Sequence, residues 1–252
     1  MKILLSPAKS LNFKSVLPTE IHSEPCFLKE ANFLNSILKS KNPSEISELM
    51  HISSTLGELN YERFQEWSPE PSKVDARQAI YAFNGDVYKG IDSYTIKKDK
   101  IDFMQNNVRI LSGHYGLLRP LDLIQPHRLE MGTKISFKSY KNLYEYWKKQ
   151  VSLELNQQLS EDEPVLNLAS NEYFKVIDSK VIDSSIYSAN FKQFRDGDFK
   201  TIAIYSKKAR GLMTRFIVDN HIESIEDIKS FNYDGYVFNE ELSNKKDFVF
   251  TR

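Results

Sequence analysis

The sequence predicts an α/β fold, a single domain with a mixed, largely buried sheet flanked by helices. Short apolar runs of strand length alternate with segments whose apolar residues recur every three or four positions. The strand-like runs are apolar on consecutive residues, as in strands covered on both faces. The 252 residues carry no internal repeat, low-complexity run or obvious linker, and nine Gly and nine Pro are thinly spread. Domains ordinarily hold about 100–200 residues, and the chain reads as one large domain.

In chain order, Lys2 to Leu5 is a short strand stopped by Ser6-Pro7. Phe27, Leu28, Ala31, Leu34 and Leu38 fall at helical spacing. Asn42-Pro43 opens a second helix, with Pro in the first helical position and Ile46, Leu49 and Met50 on one face. A third, capped by Ser53 or Ser54, carries Leu56, Leu59 and Phe64. Asp75 is placed to cap a fourth, running through Ala79, Ile80 and Phe83 to Asn84-Gly85. Val108 to Leu111 reads as a strand entering Ser112-Gly113. Tyr140, Leu143, Tyr144, Trp147, Val151 and Leu155 mark a long amphipathic helix. Val165 to Leu168 is a strand, followed by a short helix with Tyr173, Phe174 and Ile177. Thr201 to Tyr205 reads as another strand, before a helical face of Leu212, Met213, Phe216 and Ile217. Tyr236-Val237-Phe238 and Phe248-Val249-Phe250 close the chain as a strand pair, read as antiparallel. The alternation is that of layered α/β proteins.

Composition excludes several classes. Forty per cent hydrophobic and 27% charged residues are a globular balance, not that of a disordered or fibrous chain. Thirty-four basic against 34 acidic residues leave no bulk charge to hold nucleic acid or membrane, so such binding requires a local basic patch. Cys26, the sole cysteine, cannot form an internal disulfide, which suits a reducing compartment. No apolar stretch approaches the roughly 20 residues of a membrane span. The N-terminal run breaks at Pro7, short of the roughly 7–15 apolar residues of a secretion signal. A cytoplasmic location is expected.

Four predicted strands end in polar turns: Ser6-Pro7-Ala8-Lys9; Ser112-Gly113-His114-Tyr115-Gly116 with Arg119; Ser170-Asn171-Glu172-Tyr173; and Ser206-Lys207-Lys208-Ala209-Arg210-Gly211. Parallel strands would bring these turns to one sheet edge, where open α/β folds place their ligand crevice. Lys9, Arg119, Lys208 and Arg210 would there face one strong acid, Glu172, an arrangement for a phosphate or nucleotide. Taken singly, each turn is a helix cap or a solvated rim; together they favour a crevice. The segment Leu111–Gly132 is too apolar for a solvent loop and too punctuated by Gly and Pro for a helix. Its desolvated charges need partners, and Arg119–Asp122 and Arg128–Glu130 are the candidate pairs, as structural locks or as ligand contacts. Candidate crevice residues are therefore Ser6, Lys9, Ser112, Tyr115, Arg119, Arg128, Glu130, Ser170, Glu172, Lys208 and Arg210. Asn84 and Asp86 join them, although Asn84-Gly85-Asp86 reads first as a turn.

The five histidines and Cys26 lack metal-ligand spacing, so neither a metal nor another cofactor is expected. There is no G-x-S-x-G, Walker A or G-x-G-x-x-G motif.

Ser6–Lys9, Tyr81–Tyr88, Leu111–Gly132, Asn167–Tyr173 and Lys208–Met213, with Gly235–Phe238 and Phe248–Phe250, resemble in order and over essentially the whole chain the YaaA family of bacterial peroxide-stress proteins. The family pattern would have a leucine and a tyrosine where His114 and His127 stand, which argues against a catalytic or metal role for either. The resemblance implies a peroxide-stress protein that keeps unincorporated iron low and binds DNA through a positively charged cleft and a helix-hairpin-helix-like element. It implies no established enzymatic activity. By position that element is the helix pair near residues 43–64, joined around His51-Ile52. Its turn has no glycine for close phosphate approach, and Glu45, Glu48, Glu58 and Glu62 outweigh Arg63. By charge it is an ordinary packing unit, and the DNA contact falls to Lys9, Lys207, Lys208, Arg210 and Arg215. Two functions are thus expected as alternatives: sequence-independent DNA binding, or an enzyme or small-ligand binder acting on a nucleotide, base or damaged nucleic acid in the same crevice, with a small anionic ligand as the partner. A ferritin-like iron store would need E-x-x-H pairs on a four-helix bundle, which the sequence lacks.

Overall fold

Leu4 at the centre of the first strand is fully buried on one side of the sheet, and its neighbours Ile3 and Leu5 are fully buried on the other. This is why the run is apolar at every position. In the computed structural model, which describes residues 1–72 and 75–252, eight strands join in one sheet. They are β1 (Lys2–Leu5), β2 (Val108–Ser112), β3 (Gly116–Leu118), β4 (Val165–Asn167), β5 (Ile186–Arg195), β6 (Asp198–Lys200), β7 (Val237–Phe238) and β8 (Asp247–Thr251). The order is β7-β8-β5-β4-β1-β2-β3, with β6 paired to β5. The five central strands are mutually parallel, while β3, β6 and β7 attach antiparallel. The terminal pair is antiparallel as expected, with β8 itself parallel to β5.

Helices cover both faces: α1 (Leu28–Lys39), α2 (Pro43–Met50), α3 (Ser54–Glu66), α4 (Ala79–Ala82), α5 (Asp86–Ile91), α6 (Ile101–Asn107), α7 (Leu143–Gln157), α8 (Asn171–Phe174) and α9 (Ala203–Asn220). On one face Ile3, Leu5, Val108 and Ile110 pack with Ile91 of α5 and Met213 and Ile217 of α9. On the other, Leu4 and Leu111 pack with Leu34 of α1 and Trp147, Val151 and Leu155 of α7. The predicted starts of α2 and α3 hold. Asn42 accepts the Glu45 N–H at 3.0 Å and Glu45 accepts the Asn42 N–H at 2.8 Å, a reciprocal cap of the kind whose loss costs about 1 kcal/mol. Ser53 caps α3 by accepting the Leu56 N–H. His51 closes α2 in the left-handed region, at φ 51°.

Two sequence expectations are corrected. Thr201–Tyr205 is not a strand; Ala203 already begins α9, and Ser206 donates its N–H to the Ile202 carbonyl. The helix formers Lys207, Lys208, Ala209 and Arg210 outweigh the short β-branched run. The strand in this region is β5, where Ala189, Phe191 and Gln193 alternate inward. The helix expected from Asp75 is also mostly absent. Arg77–Gln78 pair with Leu123–Ile124, and the Ala79 and Ile80 N–H groups go to the Asp122 and Pro120 carbonyls. The 120–124 segment thereby claims donors a longer helix would have used, and only α4 remains helical. No helix among the described residues is long and apolar enough to cross a membrane.

Candidate functional site

The parallel strands deliver their carboxyl ends to one edge. Ser6 follows β1 and Ser170 follows β4, and the two are tied together, the Ser6 hydroxyl accepting the Ser170 N–H at 2.8 Å. The Ser6 carbonyl accepts the Tyr88 hydroxyl of α5 at 3.0 Å. At the end of β2 the Ser112 hydroxyl accepts the N–H groups of His114 and Tyr115, which turns the chain sharply. Gly113 then lets residues 129–131 press on this turn: a Cβ there would lie 2.3 Å from the Leu129 carbonyl oxygen and 3.0 Å from the Glu130 carbonyl carbon. Only glycine allows that approach, and it carries Arg128 and Glu130 to the sheet edge.

These turns surround a cleft of roughly 450 Å³, within the size range of small-molecule sites. The structure brings together there Ser6, Lys9, Asn84, Asp86, Ser112, Arg128, Glu130, Ser170, Glu172 and Arg210 of the predicted crevice, with Lys207 from the DNA candidates. Although the segment 206–211 is not a strand end, the first turns of α9 still present Lys207 and Arg210 to the same edge. Tyr115 is placed elsewhere: it is 1% exposed, and its hydroxyl accepts Trp67 Nε1–H at 2.8 Å and the Gln125 N–H at 3.1 Å. Arg119 also lies outside the cleft lining, donating to Asp122 and to the Glu24 carbonyl. Lys208 pairs with Asp234 at 3.4 Å. Arg215 is bound to Asp219 and to the Ile91 and Asp92 carbonyls and the Thr95 hydroxyl.

Phe83, Tyr88, His127 and Tyr173 also line the cleft, residues that hydrophobic patterning alone assigns to the core. Their signal in the sequence is adjacency to a polar candidate residue, Asn84, Asp86, Arg128 or Glu172, one or two positions away.

Charge within the cleft is finely divided. Glu130 bridges two cations, Arg128 at 2.9 Å and Lys9 at 2.7 Å. Glu172 accepts the Gly132 N–H at 3.0 Å. Asp86 lies 4.0 Å from Lys89. Arg210 has a buried Nε with no hydrogen-bond partner among the described residues, and burial lowers its guanidinium below the usual arginine value. Burial, and then the Glu172 and Glu130 carboxylates, push the Tyr173 phenol far up, so it is a neutral hydroxyl. Burial lowers His127 to about 4, and its Nδ1 lies 2.8 Å from the Gln125 carbonyl, which fixes the proton on that nitrogen. His127 is thus a neutral wall near neutral pH. Among the described residues no group of three or more His, Cys, Asp or Glu side chains is placed to hold a metal ion.

A mostly parallel sheet with a polar crevice at its carboxyl edge, walled from both helical layers, defines an α/β protein with a ligand crevice at the strand ends. The chain belongs to the family described as Peroxide stress protein YaaA, whose family model matches residues 1–242. Membership places it among peroxide-stress proteins. It is 51% identical to a UPF0246 protein of Flavobacterium johnsoniae over 252 residues, the whole of both chains. A UPF0246 protein of Flavobacterium psychrophilum is 49% identical, again over the whole of both. One of Saccharophagus degradans is 46% identical over 254 residues, covering all of this chain and 99% of its own.

Proposed function

We propose that this peroxide-stress protein acts in the cytoplasm by binding DNA independently of sequence, taking backbone phosphate into the crevice. In doing so it limits damage from unincorporated iron and hydrogen peroxide. Arg210 carries this reading. It is half-buried on the cleft wall, and no side-chain hydrogen bond or ion pair joins it to any described residue. A desolvated guanidinium without a counter-charge is costly, and a phosphate satisfies its planar donor fork with two parallel hydrogen bonds. Lys207 and Lys9 add charge on the same rim. The α2–α3 pair adds little, because Glu45, Glu48, Glu58 and Glu62 oppose a phosphate backbone there. Neutralised phosphates release their condensed cations. Any ferrous ion condensed on those phosphates is displaced with the rest, so a bound strand would carry less of the metal on which peroxide becomes a damaging oxidant.

The test is a salt-titrated fluorescence anisotropy series on single-stranded, duplex and junction DNA, with a Lys207→Glu/Arg210→Glu variant alongside. Affinity should fall steeply with salt and drop at least tenfold in the variant. Unchanged binding by the variant would remove the crevice as the DNA surface.

A second reading, an enzyme or small-ligand binder directed at a nucleotide or base, is favoured by Glu130 and Glu172 sharing the cleft with Arg210. Either carboxylate is within reach of acid–base work on a bound ligand. A nucleotide thermal-shift screen without a binder at millimolar concentration would exclude it.

A further inference from the structure

We infer that the crevice is built for a nucleoside monophosphate unit, free or within a strand, whose phosphate lies on Arg210 and Lys207 and whose base presents an amino group to Glu172. The inference rests on the crevice being a phosphate site, as proposed above, and adds what the far wall recognises.

The two walls come from opposite layers of the sheet. Arg210 follows Ala209, and Lys207 lies one turn before Arg210; Ala209 packs in the layer of α5 and α9. Glu172 precedes Tyr173, which packs in the layer of α1 and α7. Charge compensation separates the lining groups further. Glu130 is already held by Arg128 and Lys9, and Asp86 has Lys89 beside it. Among the described residues, Lys207, Arg210 and Glu172 have no ion-pair partner, and one Glu172 oxygen is engaged by Gly132 while the other is not. The open charges are therefore cationic on one wall and a single carboxylate on the other. Pro7, Ala8, Phe83 and Val87 supply an apolar surround.

A simple anion satisfies one wall and meets like charge at the other. A metal ion satisfies only Glu172. An occupant that suits both carries an anion at one end, N–H donors at the other and a flat, weakly polar body between, which is the chemistry of a nucleotide with an amino-bearing base. A carboxylate accepts well from the exocyclic amino group of cytosine. The same carboxylate facing a carbonyl, as in uracil or hypoxanthine, opposes two acceptors.

Isothermal titration of the full chain with dCMP, dUMP, dAMP, dIMP and inorganic phosphate tests this, with oligo-dC against oligo-dU as the strand arm. Wild type should bind dCMP over dUMP and dAMP over dIMP by about tenfold or more. Glu172→Gln keeps an oxygen for the Gly132 N–H and should bring both ratios to about one or below. Arg210→Gln should weaken every monophosphate and inorganic phosphate about tenfold while keeping the ratios. Preference in the monomers alone assigns a free nucleotide; the same preference in the oligomers assigns a strand. The wild-type ratios decide the matter even if a variant folds poorly. Equal binding of amino and oxo bases, or ratios unmoved by Glu172→Gln, overturns the inference; if DNA binding still depends on Lys207 and Arg210, the phosphate reading survives. Failure of every probe to bind overturns both.

Discussion

Gly90 and Gly211 meet backbone to backbone where α5 crosses α9. A Cβ on Gly211 would lie 1.9 Å from the Val87 carbonyl oxygen and 2.9 Å from the Gly90 Cα, and one on Gly90 would lie 2.3 Å from the Lys208 carbonyl oxygen. The atoms in the way are backbone, which cannot rotate aside. The crossing brings the start of α5, with Asp86 and Val87, beside the turn of α9 that carries Lys207 and Arg210. It therefore sets the width of the crevice as well as the packing of one layer.

Gly211→Ala should consequently destabilise the protein although alanine is the better helix former. The propensity gain is about 1 kcal/mol, whereas overpacking against fixed backbone costs about 1–3 kcal/mol and more where nothing can yield. Thermal unfolding should show a lower Tm, and crevice binding should weaken with it. A raised Tm would mean that the helices separate freely and that the crossing does not define the cleft.

His114 is fully buried, stacked on Phe64 and beside Trp67 and His127, and neither ring nitrogen has a hydrogen-bond partner among the described residues. Each unmet buried polar group costs about 1–3 kcal/mol, so an apolar side chain of similar size should fit better. His114→Leu is expected to stabilise by about 1–2 kcal/mol, read as a rise in the urea midpoint at unchanged m. A lower midpoint would show that the ring is held by packing that leucine cannot reproduce.

The same histidines make stability pH-dependent. Burial holds His127 near 4 and His114 well below its ordinary value, so both are neutral in the fold while the unfolded chain takes up protons below about 6.5. The unfolded state then binds more protons, and stability falls as pH drops from about 6.5 toward 4. His127 alone should remove roughly 2 kcal/mol between pH 7.5 and pH 5. Urea unfolding at a series of pH values checks this, and His114→Leu/His127→Tyr should flatten the slope. A wild-type profile level across that window would contradict the assignment of buried neutral rings.

Much of this was legible in the sequence, and the failures have physical causes. The strand–helix alternation and the polar turns at 6–9, 112–116 and 170–173 located the sheet and the crevice, because buried parallel strands leave consecutive apolar runs that break to polar residues at their carboxyl ends. Thr201–Tyr205 misled because a five-residue β-branched run does not separate a strand from a helix start. β5 has only a faint signature, because of its inward positions Ala189, Phe191 and Gln193 one is small and one is polar, which leaves Phe191 as the single large apolar residue of the alternation. The pairs Arg119–Asp122 and Arg128–Glu130 were legible from spacing and form in the fold, but Arg215 could not be told from Arg210 by type or spacing, and only the fold reveals that Asp219 occupies it. The Gly90–Gly211 contact joins positions far apart in the chain and has no local signature at all.

Tyr115 separates scaffold from site. Its hydroxyl accepts two buried donors, Trp67 Nε1–H and the Gln125 N–H, and it lies outside the crevice lining. Tyr115→Phe should leave both donors unpaired and cost about 2 kcal/mol or more in chemical denaturation. Crevice affinity measured well below the new Tm should stay within twofold of wild type. A selective loss of binding at unchanged stability would place Tyr115 in the ligand's path instead.

Arg215 and Arg210 lie five residues apart on α9 and should respond in opposite ways. Arg215 holds α9 to the 91–95 turn through the Ile91 and Asp92 carbonyls and Thr95, with Asp219 alongside. Arg215→Ala removes a partly buried charged hydrogen-bond network and strands those acceptors, so a loss of about 2–3 kcal/mol is expected. Arg210→Ala removes a buried donor without a partner and a positive charge without a counter-charge, so stability should hold or rise. Binding should show the reverse order, lost with Arg210→Ala and kept with Arg215→Ala once the variant is measured below its Tm. Parallel denaturation and DNA anisotropy on the two variants settle the comparison. Equal loss of binding in both would mean that charge along the whole helix, rather than the crevice, attracts the strand.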